Sequence, residues 1–279
     1  MKSSGIGLTD IGKQRQRNED FLLVDDEFGL YIIADGIGGY AAGDVAARLA
    51  IETAAQHIYE QRVEIEKIRA GHGDEVALSS MAATAVANAS RIVFKTASAN
   101  PHLMGMGCTL TLLLLGNRAA AMAHVGDSRL YLSRHGRMRQ LSTDHNLAAE
   151  LVELGIIEPA QTAHLRSAHV LTRSIGRRED VIVEELLVDV NVDDQFVLCT
   201  DGLSNYLAEP QDLHSLLSAE EFESSARRLV EFANAAGGDD NITAIVVRID
   251  QIDESAVASS ANVALADGDT PPIEYSAAV

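Results

Sequence analysis

Four aspartates stand where an apolar, strand-like segment of the sequence meets a turn. They are Asp35 after YIIA, Asp127 after AMAHVG, Asp201 after FVLCT and Asp240 before NITAIVV. A single aspartate in such a place is usually a turn former or a helix cap. Four of them in one chain indicate instead carboxylates that a fold could gather around an ion.

Carboxylates that lie within a few ångström of one another cannot all stay ionised unless cations lie between them. Ligands that are all oxygen suit Mg²⁺ or Mn²⁺, which prefer octahedral sites with several retained waters. The aspartates alone therefore predict an oxygen-rich divalent metal site, and they leave its reaction open.

Two glycine-rich segments resemble nucleotide-binding motifs, but both are incomplete. The segment Gly7–Lys13 has the spacing of a P-loop, yet Gln14 replaces the Ser or Thr that would hold magnesium, and no apolar strand precedes it. The segment Gly36–Ala41 follows a strand as a dinucleotide-binding turn would, but Asp35 stands where a pyrophosphate would approach. We expect neither site to form.

Neither cysteine fits a cysteine-based phosphatase. Such an enzyme needs an arginine at the end of the loop after the thiolate, and at that distance Cys108 is followed by Leu114 and Cys199 by Asn205. Each cysteine stands in an apolar run, which predicts two buried, unpaired thiols in a reducing compartment. The nine histidines are scattered along the sequence, so a zinc site of imidazoles has little support.

Apolar segments of strand length alternate with amphipathic helices along the chain. The predicted strands are Leu30–Ala34, Cys108–Leu115, Arg118–Val125, Arg129–Leu132, Val181–Val188, Gln195–Thr200 and Asn241–Ile249. The predicted helices are Gly43–Glu66, Asp74–Ala99, Asn146–Leu154, Gln211–Leu217 and Glu220–Ala235. Short turns at Gly116-Asn117 and Gly126-Asp127-Ser128 join the second, third and fourth of these strands, which predicts antiparallel hairpins. The pattern favours an α+β fold of stacked, mainly antiparallel sheets flanked by helices.

Composition predicts one globular domain. A chain of 279 residues with 47% hydrophobic content can bury a sizeable core, and no repeat or proline-rich linker divides it, so we expect a single domain over residues 1–250. Residues 251–279 are rich in Ala, Ser and Asp, which predicts an acidic, disordered tail.

Charge and hydropathy exclude several partners. The net charge of −19 would repel a nucleic-acid backbone. The first residues, MKSSGIGLTD, lack the apolar core of a signal peptide, and no apolar stretch reaches the ~20 residues of a membrane helix. We expect a cytoplasmic protein that binds neither nucleic acid nor membrane.

Five short motifs occur along the chain. They are Arg15-Gln-Arg-Asn18-Glu19-Asp20, Ala34-Asp35-Gly36-Ile-Gly38-Gly39, Gly126-Asp127-Ser128-Arg129, Thr200-Asp201-Gly202 and Asp239-Asp240-Asn241-Ile-Thr243. Their order and approximate spacing resemble those of the type 2C, metal-dependent protein serine/threonine phosphatases, and the chain looks most like the compact bacterial members from about Gly5 to Ile249. The resemblance implies an α-β-β-α four-layer sandwich with a flap, about residues 144–178, beside the active site.

The resemblance also implies two Mn²⁺ or Mg²⁺ ions per chain. Asp35 resembles the aspartate that bridges both ions, and the backbone carbonyl of Gly36 would bind the second ion. Asp201 and Asp240 match the other ligands of the first ion. Two cations roughly 3.5–4 Å apart would lower the pKa of a bridging water, which would attack phosphorus without a covalent enzyme intermediate.

Further positions match the family around this pair of ions. Asp20, with Glu19 beside it, matches an acidic pair near the second ion, and Asp20 is our first choice of the two. Asp127 resembles a residue that, with Asp201, holds a third and weaker ion. Arg15 lies upstream of Asp20 where the family places an arginine that binds phosphate, and its fork of donors would hold two phosphate oxygens.

Two features depart from the family or stay open. Ile37 stands where animal members carry a histidine proposed as the general acid, so the sequence leaves the proton donor to the leaving group unassigned. The flap contains His164, Arg166, His169 and Arg173. These residues could meet a phosphopeptide or equally form a solvated face, and we assign them no catalytic role.

Three functions are compatible with these residues. The leading hypothesis is a monomeric phosphatase that removes phosphate from Ser and Thr residues of bacterial proteins and opposes a kinase in signalling, with the kinase or its substrates as partners. The alternatives are an inactive relative that binds phosphoproteins and a hydrolase of small phosphoesters or nucleotides. Retention of the acidic positions and of Arg15 argues against the inactive relative.

Overall fold

We describe a computed structural model of the chain, covering residues 1–37, 42–165, 167–217 and 221–252. Within these residues the strands are β1 (Lys2–Asp10), β2 (Phe21–Asp25), β3 (Leu30–Ala34), β4 (Gly36–Ile37), β5 (Gly107–Cys108), β6 (Leu110–Leu115), β7 (Ala119–Val125), β8 (Arg129–Arg134), β9 (Arg137–Gln140), β10 (Glu184–Asp189), β11 (Gln195–Cys199) and β12 (Ile242–Gln251).

The helices of the described chain separate the strands into groups. They are α1 (Gly43–Glu60), α2 (Arg62–Arg69), α3 (Ala77–Ala99), α4 (Leu147–Glu153), α5 (Asp201–Ser204), α6 (Gln211–Leu217) and α7 (Ser225–Ala236). Short 3₁₀ turns lie at Pro101–Leu103, Pro159–His164 and Phe222–Ser224. None of the described helices combines the length and the apolarity that a membrane crossing requires.

The strands form two five-stranded sheets and one short ladder. The first sheet has the order β1-β12-β11-β8-β9, and the second has the order β10-β7-β6-β3-β2. Strands β4 and β5 pair separately, and every strand pair is antiparallel. The predicted α+β fold of stacked antiparallel sheets is confirmed.

Three buried apolar layers hold the sandwich together. In β3, Ile32 faces the layer shared with α1 and α3, whereas Ile33 faces the layer between the two sheets. In β11, Phe196 faces the layer between the sheets, whereas Val197 packs in the layer shared with α7. Alternate residues of a strand point to opposite faces, so strands buried on both sides read as continuous apolar runs. The order of layers is therefore helix, sheet, sheet, helix.

The predicted hairpin at Gly126–Ser128 is wrong. Strand β7 belongs to the second sheet and β8 to the first, so these three residues carry the chain from one sheet to the other. Gly126 adopts a φ of 121°, and a Cβ there would collide with the side chain of Thr109. A short turn between two apolar strands looks the same in sequence whether it closes a hairpin or crosses between sheets.

Other element boundaries also differ from the prediction. The predicted helix 43–66 divides at Gln61, and the predicted strand 108–115 divides at Thr109. Strands β1, β2, β4 and β9 were not predicted. The candidate P-loop begins inside β1, where Gly7 pairs with Ile245, so no phosphate-binding loop forms there. The predicted acidic tail lies outside the described residues from residue 253 onward.

Candidate active site and metal centre

A cleft of about 1110 Å³ opens at one end of the sandwich. Antiparallel pairing brings the ends of several strands there: Ala34 at the end of β3 lies opposite Phe21, and Cys199 at the end of β11 lies opposite Ala244. The predicted site residues that line the cleft are Arg15, Glu19, Asp35, Gly36, Asp127, Asp201 and Asp240. Residues far apart in sequence thus meet in one place, and Asp20 is the predicted residue that does not line it.

Asp35 is held by a threonine that separates β5 from β6. The backbone N–H of Asp35 donates to Thr109 Oγ1 at 2.9 Å, and the N–H of Thr109 donates to the Asp35 carbonyl at 2.9 Å. Thr109 Oγ1 also lies 2.8 Å from the hydroxyl of Ser128. These hydrogen bonds link the turn at Asp35 to the turn at Asp127. Thr109 was not predicted from the sequence as a residue of the site.

Asp20 lies beneath the cleft and is 3% exposed. Its Oδ2 accepts hydrogen bonds from Thr200 Oγ1 at 2.9 Å and from Thr243 Oγ1 at 2.7 Å. Its Oδ1 is buried with no hydrogen-bond partner among the described residues. Burial raises the pKa of Asp20, and nearby Asp201 adds to the effect while the two threonines oppose it. Asp20 therefore supports the cleft floor rather than facing the cleft.

Glu19 is the member of the acidic pair that lines the cleft. A Cβ placed on Gly43 would lie 2.7 Å from Glu19 Oε2 and 3.0 Å from the Gly36 carbonyl oxygen. The glycine thus leaves open a small space that two oxygen atoms border. Burial, followed by repulsion from Asp44, raises the pKa of Glu19.

Asp201 and Asp240 are brought together by close backbone packing. Asp201 begins α5, and Gly202 lies so close to the Asn241 carbonyl that no Cβ could fit between them. Asp201 Oδ2 accepts a 3.3 Å hydrogen bond from Asn205, whereas its Oδ1 is buried and lacks a partner within the described chain. One glycine thereby fixes the distance between two predicted ligands of the same ion.

The acidic groups of the cleft raise one another's pKa. Burial is the largest cause for Asp35, whose pKa lies well above its ordinary value, and repulsion from Asp20, Asp201 and Asp240 comes next. Burial and then Asp240 raise the pKa of Asp201. Burial, Asp201 and Asp144 raise the pKa of Asp127 to about 7. Carboxylates crowded in this way favour either protonation or a bound cation.

Arg15 and Glu19 lie on a loop that Asn241 holds in place. Asn241 donates through Nδ2 to the carbonyls of Ile11 at 3.0 Å and Arg17 at 2.9 Å, and its Oδ1 accepts from the Glu19 N–H at 2.8 Å. Arg15 donates to Asp240 Oδ2 at 2.6 Å. The sequence motif contained Asn241, but its partners on the distant loop could not be read from the sequence.

Asp127 is linked to the start of the flap. A hydrogen bond from Asn146 opposes the rise in the Asp127 pKa, and the same asparagine caps α4 by accepting from the Ala149 N–H at 3.0 Å. The backbone N–H of His145 donates to the Gly126 carbonyl at 2.7 Å, and the Gly126 N–H donates to His145 Nδ1 at 3.1 Å. The predicted third-ion residue therefore shares its supports with the flap.

A histidine pair next to this link was not anticipated. The rings of His124 and His145 stack with centroids 4.9 Å apart, and together with Glu184 they offer potential metal ligands within 4.8 Å of one another. Both nitrogens of His124 are already engaged, with the Thr111 hydroxyl at 2.8 Å and with the Gly126 carbonyl at 3.0 Å. Burial lowers the pKa of His124 to about 4. We interpret the pair as neutral hydrogen-bonding residues that join the flap to the second sheet.

The flap contributes His169 and Arg173 to the cleft lining, and Ile37 also lines it. Arg166 and the side chain of His164 lie outside the described residues. Both cysteines are buried and unpaired, as predicted. Burial raises the pKa of Cys199 to about 12 and that of Cys108 further, so neither thiol supplies a nucleophile.

The residues present fit divalent cations. The ligand atoms on offer are carboxylate and carbonyl oxygens, which hard cations such as Mg²⁺ and Mn²⁺ prefer. Among the described residues, the two buried carboxylate oxygens without hydrogen-bond partners belong to Asp20 and Asp201, and buried polar atoms ordinarily have partners. A cation in the cleft would supply one to Asp201 and would offset the mutual repulsion of the carboxylates.

Sequence comparison agrees with the geometry. A family profile described as Protein phosphatase 2C matches residues 10–246. The serine/threonine phosphatase stp of Listeria monocytogenes is 31% identical over 245 residues, which cover 87% of this chain and 94% of that protein. The serine/threonine protein phosphatase PstP of Mycobacterium tuberculosis is 32% identical over 243 residues, covering 86% of this chain and 44% of PstP. The chain thus matches somewhat less than half of PstP.

Solved structures share the fold. The crystal structure of the Mycobacterium tuberculosis serine/threonine phosphatase PstP/Ppp has a TM-score of 0.78 at 29% identity and covers 90% of this chain and 100% of that one. The structure of the S. agalactiae serine/threonine phosphatase has a TM-score of 0.79 at 27% identity, covering 89% and 100%. The catalytic domain of PstP in complex with two manganese ions has a TM-score of 0.76 at 29% identity, covering 90% and 99%.

Proposed function

The chain belongs to the protein phosphatase 2C family, and from this premise we propose that its acidic cleft is the centre that hydrolyses phosphoserine and phosphothreonine in proteins. The chain is a metal-dependent protein serine/threonine phosphatase whose substrates are phosphoproteins. The observation that carries the assignment of the site is the convergence of Asp35, Asp201 and Asp240, from three different strand ends, on one cleft.

We assign the metal ligands by their positions around this cleft. Asp35 would be shared by two Mn²⁺ or Mg²⁺ ions, with Asp201 and Asp240 completing the protein ligands of the first. The Gly36 carbonyl and Glu19 border the space next to Gly43, which supports them as ligands of the second ion. We assign the direct contact to Glu19 in preference to Asp20, since Glu19 lines the cleft whereas Asp20 does not and its Oδ2 binds two threonine hydroxyls.

A third ion is assigned to Asp127 and Asp201. Both line the cleft, and repulsion from Asp201 contributes to the raised pKa of Asp127. The same two residues also border a smaller neighbouring cavity of about 270 Å³. Two carboxylates so placed would bind a cation more weakly than a site in which the Asp35 and Gly36 oxygens also take part.

The chain's own residues account for binding and orientation. When bound, the metal ions supply an activated water for in-line attack on phosphorus. Arg15 binds phosphate oxygens through its planar fork and offsets the charge that grows on them. Thr109 holds the Asp35 backbone, and Asn241 holds the loop that carries Arg15. The Ile37 side chain cannot donate a proton. The leaving alcohol therefore takes its proton from water or from another group.

The experiment that tests the proposal compares substrates. Phosphate release from a phosphothreonine peptide is measured with Mn²⁺ and after chelation, beside free nucleotides at the same concentration. We expect metal-dependent release that favours the peptide. Preference for nucleotides would indicate a hydrolase of small phosphoesters, and no release from either substrate would indicate an inactive phosphoprotein-binding relative.

A matched pair of variants completes this test. Asp201→Asn should abolish peptide hydrolysis, whereas Asp193→Asn should leave it unchanged, because Asp193 is exposed and does not line the cleft. Asp193 has a φ of 69°, a conformation that asparagine also tolerates. The cytoplasmic location, the monomeric state and the opposing kinase stay predictions.

A further inference from the structure

Arginines line the cleft of a chain whose net charge is −19. Within the described residues they are Arg15, Arg17, Arg173, Arg177 and Arg178. Arg15 binds Asp240, and Arg173 lies 3.3 Å from His145. The other three, here called the arginine rim, are exposed and form no ion pair within the described part of the chain.

Backbone pairing places Arg177 beside the metal-binding turn. Ile175 and Cys108 exchange hydrogen bonds of 3.2 and 2.8 Å, which adds this segment to the short β4-β5 ladder. Arg177 Cγ passes 3.6 Å from the position of a Cβ on Gly107, and Gly107 pairs with Ile37. The Arg177 side chain therefore lies over Gly107, whose strand partner is the residue that follows Gly36.

The backbone around Arg178 is anchored from below. The hydroxyl of the fully buried Ser90, on α3, accepts from the Gly176 N–H at 3.2 Å and donates to the Arg178 carbonyl at 3.4 Å. On the opposite side of the cleft, the Arg17 carbonyl accepts the hydrogen bond from Asn241. The arginine rim is thus carried by fixed backbone, which lowers the ordering cost of binding a ligand.

The two acidic residues that follow Arg178 in sequence have basic partners other than the arginine rim, although Asp180 also lines the cleft. Glu179 pairs with Lys95 at 3.3 Å, and Asp180 pairs with Arg91 at 3.2 Å. Both basic partners belong to α3. The positive charge of Arg177 and Arg178 is therefore left to face the cleft.

We propose that the arginine rim binds acidic side chains next to the phosphorylated residue, so that the cleft selects acidic phosphopeptides. Guanidinium groups bind carboxylates with two parallel hydrogen bonds. An acidic protein repels an acidic peptide at long range. Carboxylates also line the cleft, but most of them are the assigned metal ligands, whose charge bound cations would offset, so the arginine rim would attract the peptide locally. This inference rests on the proposed function and specifies its substrate class.

The test compares the hydrolysis of three phosphothreonine peptides of equal length with Mn²⁺ present. The peptides carry Glu, Gln or Lys on both sides of the phosphothreonine. We expect kcat/KM to fall in the order Glu, Gln, Lys, with about a tenfold advantage of Glu over Gln at low salt. The advantage should shrink as the ionic strength rises above ~0.15 M, because salt screens exposed charges. Most of the change should lie in KM.

The double variant Arg177→Gln/Arg178→Gln should lower the ratio of kcat/KM for the Glu peptide to that for the Gln peptide most of the way to one, since only Arg17 of the arginine rim remains. Arg48→Gln is the matched control, because Arg48 is an exposed arginine of α1 that does not line the cleft, and it should keep the wild-type ratio. Arg17→Gln, on a separate loop, should lower the ratio in part, and it keeps the test available should the double variant fail to fold.

Equal kcat/KM values for the three peptides with the wild-type protein would overturn the inference, as would a double variant that keeps the wild-type ratio. Failure of the proposed function looks different, because the wild-type protein would then hydrolyse none of the three peptides with Mn²⁺ present. Hydrolysis of all three peptides at the same rate would therefore reject the role of the arginine rim and leave the proposed function in place.

Discussion

Arg15 donates a 2.6 Å hydrogen bond to Asp240, so the arginine assigned to phosphate lies against a carboxylate assigned to the first metal ion. Both side chains are partly exposed, at 53% and 31%, and the pair lies at the mouth of the cleft. Phosphate binding and metal binding therefore share one contact, and we expect them to be thermodynamically coupled.

Arg15→Lys should lower kcat/KM for a phosphothreonine peptide by about a hundredfold, because lysine keeps the charge but loses the planar fork that holds two oxygens. Inorganic phosphate should inhibit the variant more weakly than the wild type. Steady-state kinetics with phosphate as inhibitor provides the measurement, with Arg48→Lys as the control for the same change at a distant exposed site. An unchanged phosphate inhibition constant would remove Arg15 from the site.

Asp201→Asn should stabilise the protein in the presence of a chelator, because it removes one of several carboxylates that repel one another. The same change should abolish the rise in Tm that Mn²⁺ gives the wild type, since binding to the folded state stabilises it. Thermal unfolding with and without Mn²⁺ measures both effects. A variant whose Tm still rises with Mn²⁺ as the wild type does would contradict the ligand assignment.

Ionisation of Asp127 should lower the stability of the chelated protein as pH rises from about 4 to about 7, whereas the lowered pKa of His124 acts in the opposite direction. Burial raises the pKa of Asp127 from 3.8 to about 7, so the folded state holds more protons than the unfolded state within that window. Asp20, Asp35 and Asp201 shift in the same direction. Urea unfolding at a series of pH values checks the slope, which Asp127→Asn should reduce. A pH slope that Asp127→Asn leaves unchanged would contradict the description of the cleft.

Asn241→Ala should cost about 2 kcal/mol of unfolding free energy, because it leaves two partly buried carbonyls and one N–H without their partner. Activity should fall as well, since the loop that carries Arg15 loses its anchor. Asn100→Ala is the control, because Asn100 is exposed and its side chain makes a single local bond to the Thr96 carbonyl. Equal losses in the two variants, by urea unfolding and by kcat/KM, would show that Asn241 has no special role.

Asp127→Asn should remove the weakest metal-binding step and leave the tighter steps in place. Its carboxylate lies near Asp201 and is not among the ligands that we assign to the two tighter ions. Calorimetric titration with Mn²⁺ should therefore show one fewer weak site than the wild type. Loss of every site would show instead that Asp127 supports the whole centre.

Much of the site could be predicted from sequence because its metal-binding residues sit at strand ends. Asp35 and Asp201 each follow a buried apolar strand, and the strand pattern alone placed them at turns. The close approach of Gly202 to the Asn241 carbonyl explains why glycine follows Asp201 in the motif. The ordered motifs then supplied roles that strand ends by themselves could not.

The remaining features depend on contacts between distant segments. Glu19 and Asp20 are neighbours in sequence, and only the fold shows that one faces the cleft while the other meets Thr200 and Thr243 beneath it. Strand β1 contains Gly5 and Gly7, which weaken a strand pattern, yet Gly5 is needed because a Cβ there would collide with the ring of Tyr31. The need for glycine at such a position is set by the segment that packs against the strand, so the strand's own sequence does not show it.

Anomalous diffraction from a crystal soaked in Mn²⁺ tests the central claim most directly. We predict two strong peaks that share Asp35, one also bound by Asp201 and Asp240 and the other by the Gly36 carbonyl. Peaks confined to the His124 and Glu184 cluster, or no peak in the cleft of a protein that binds Mn²⁺ in solution, would contradict the account.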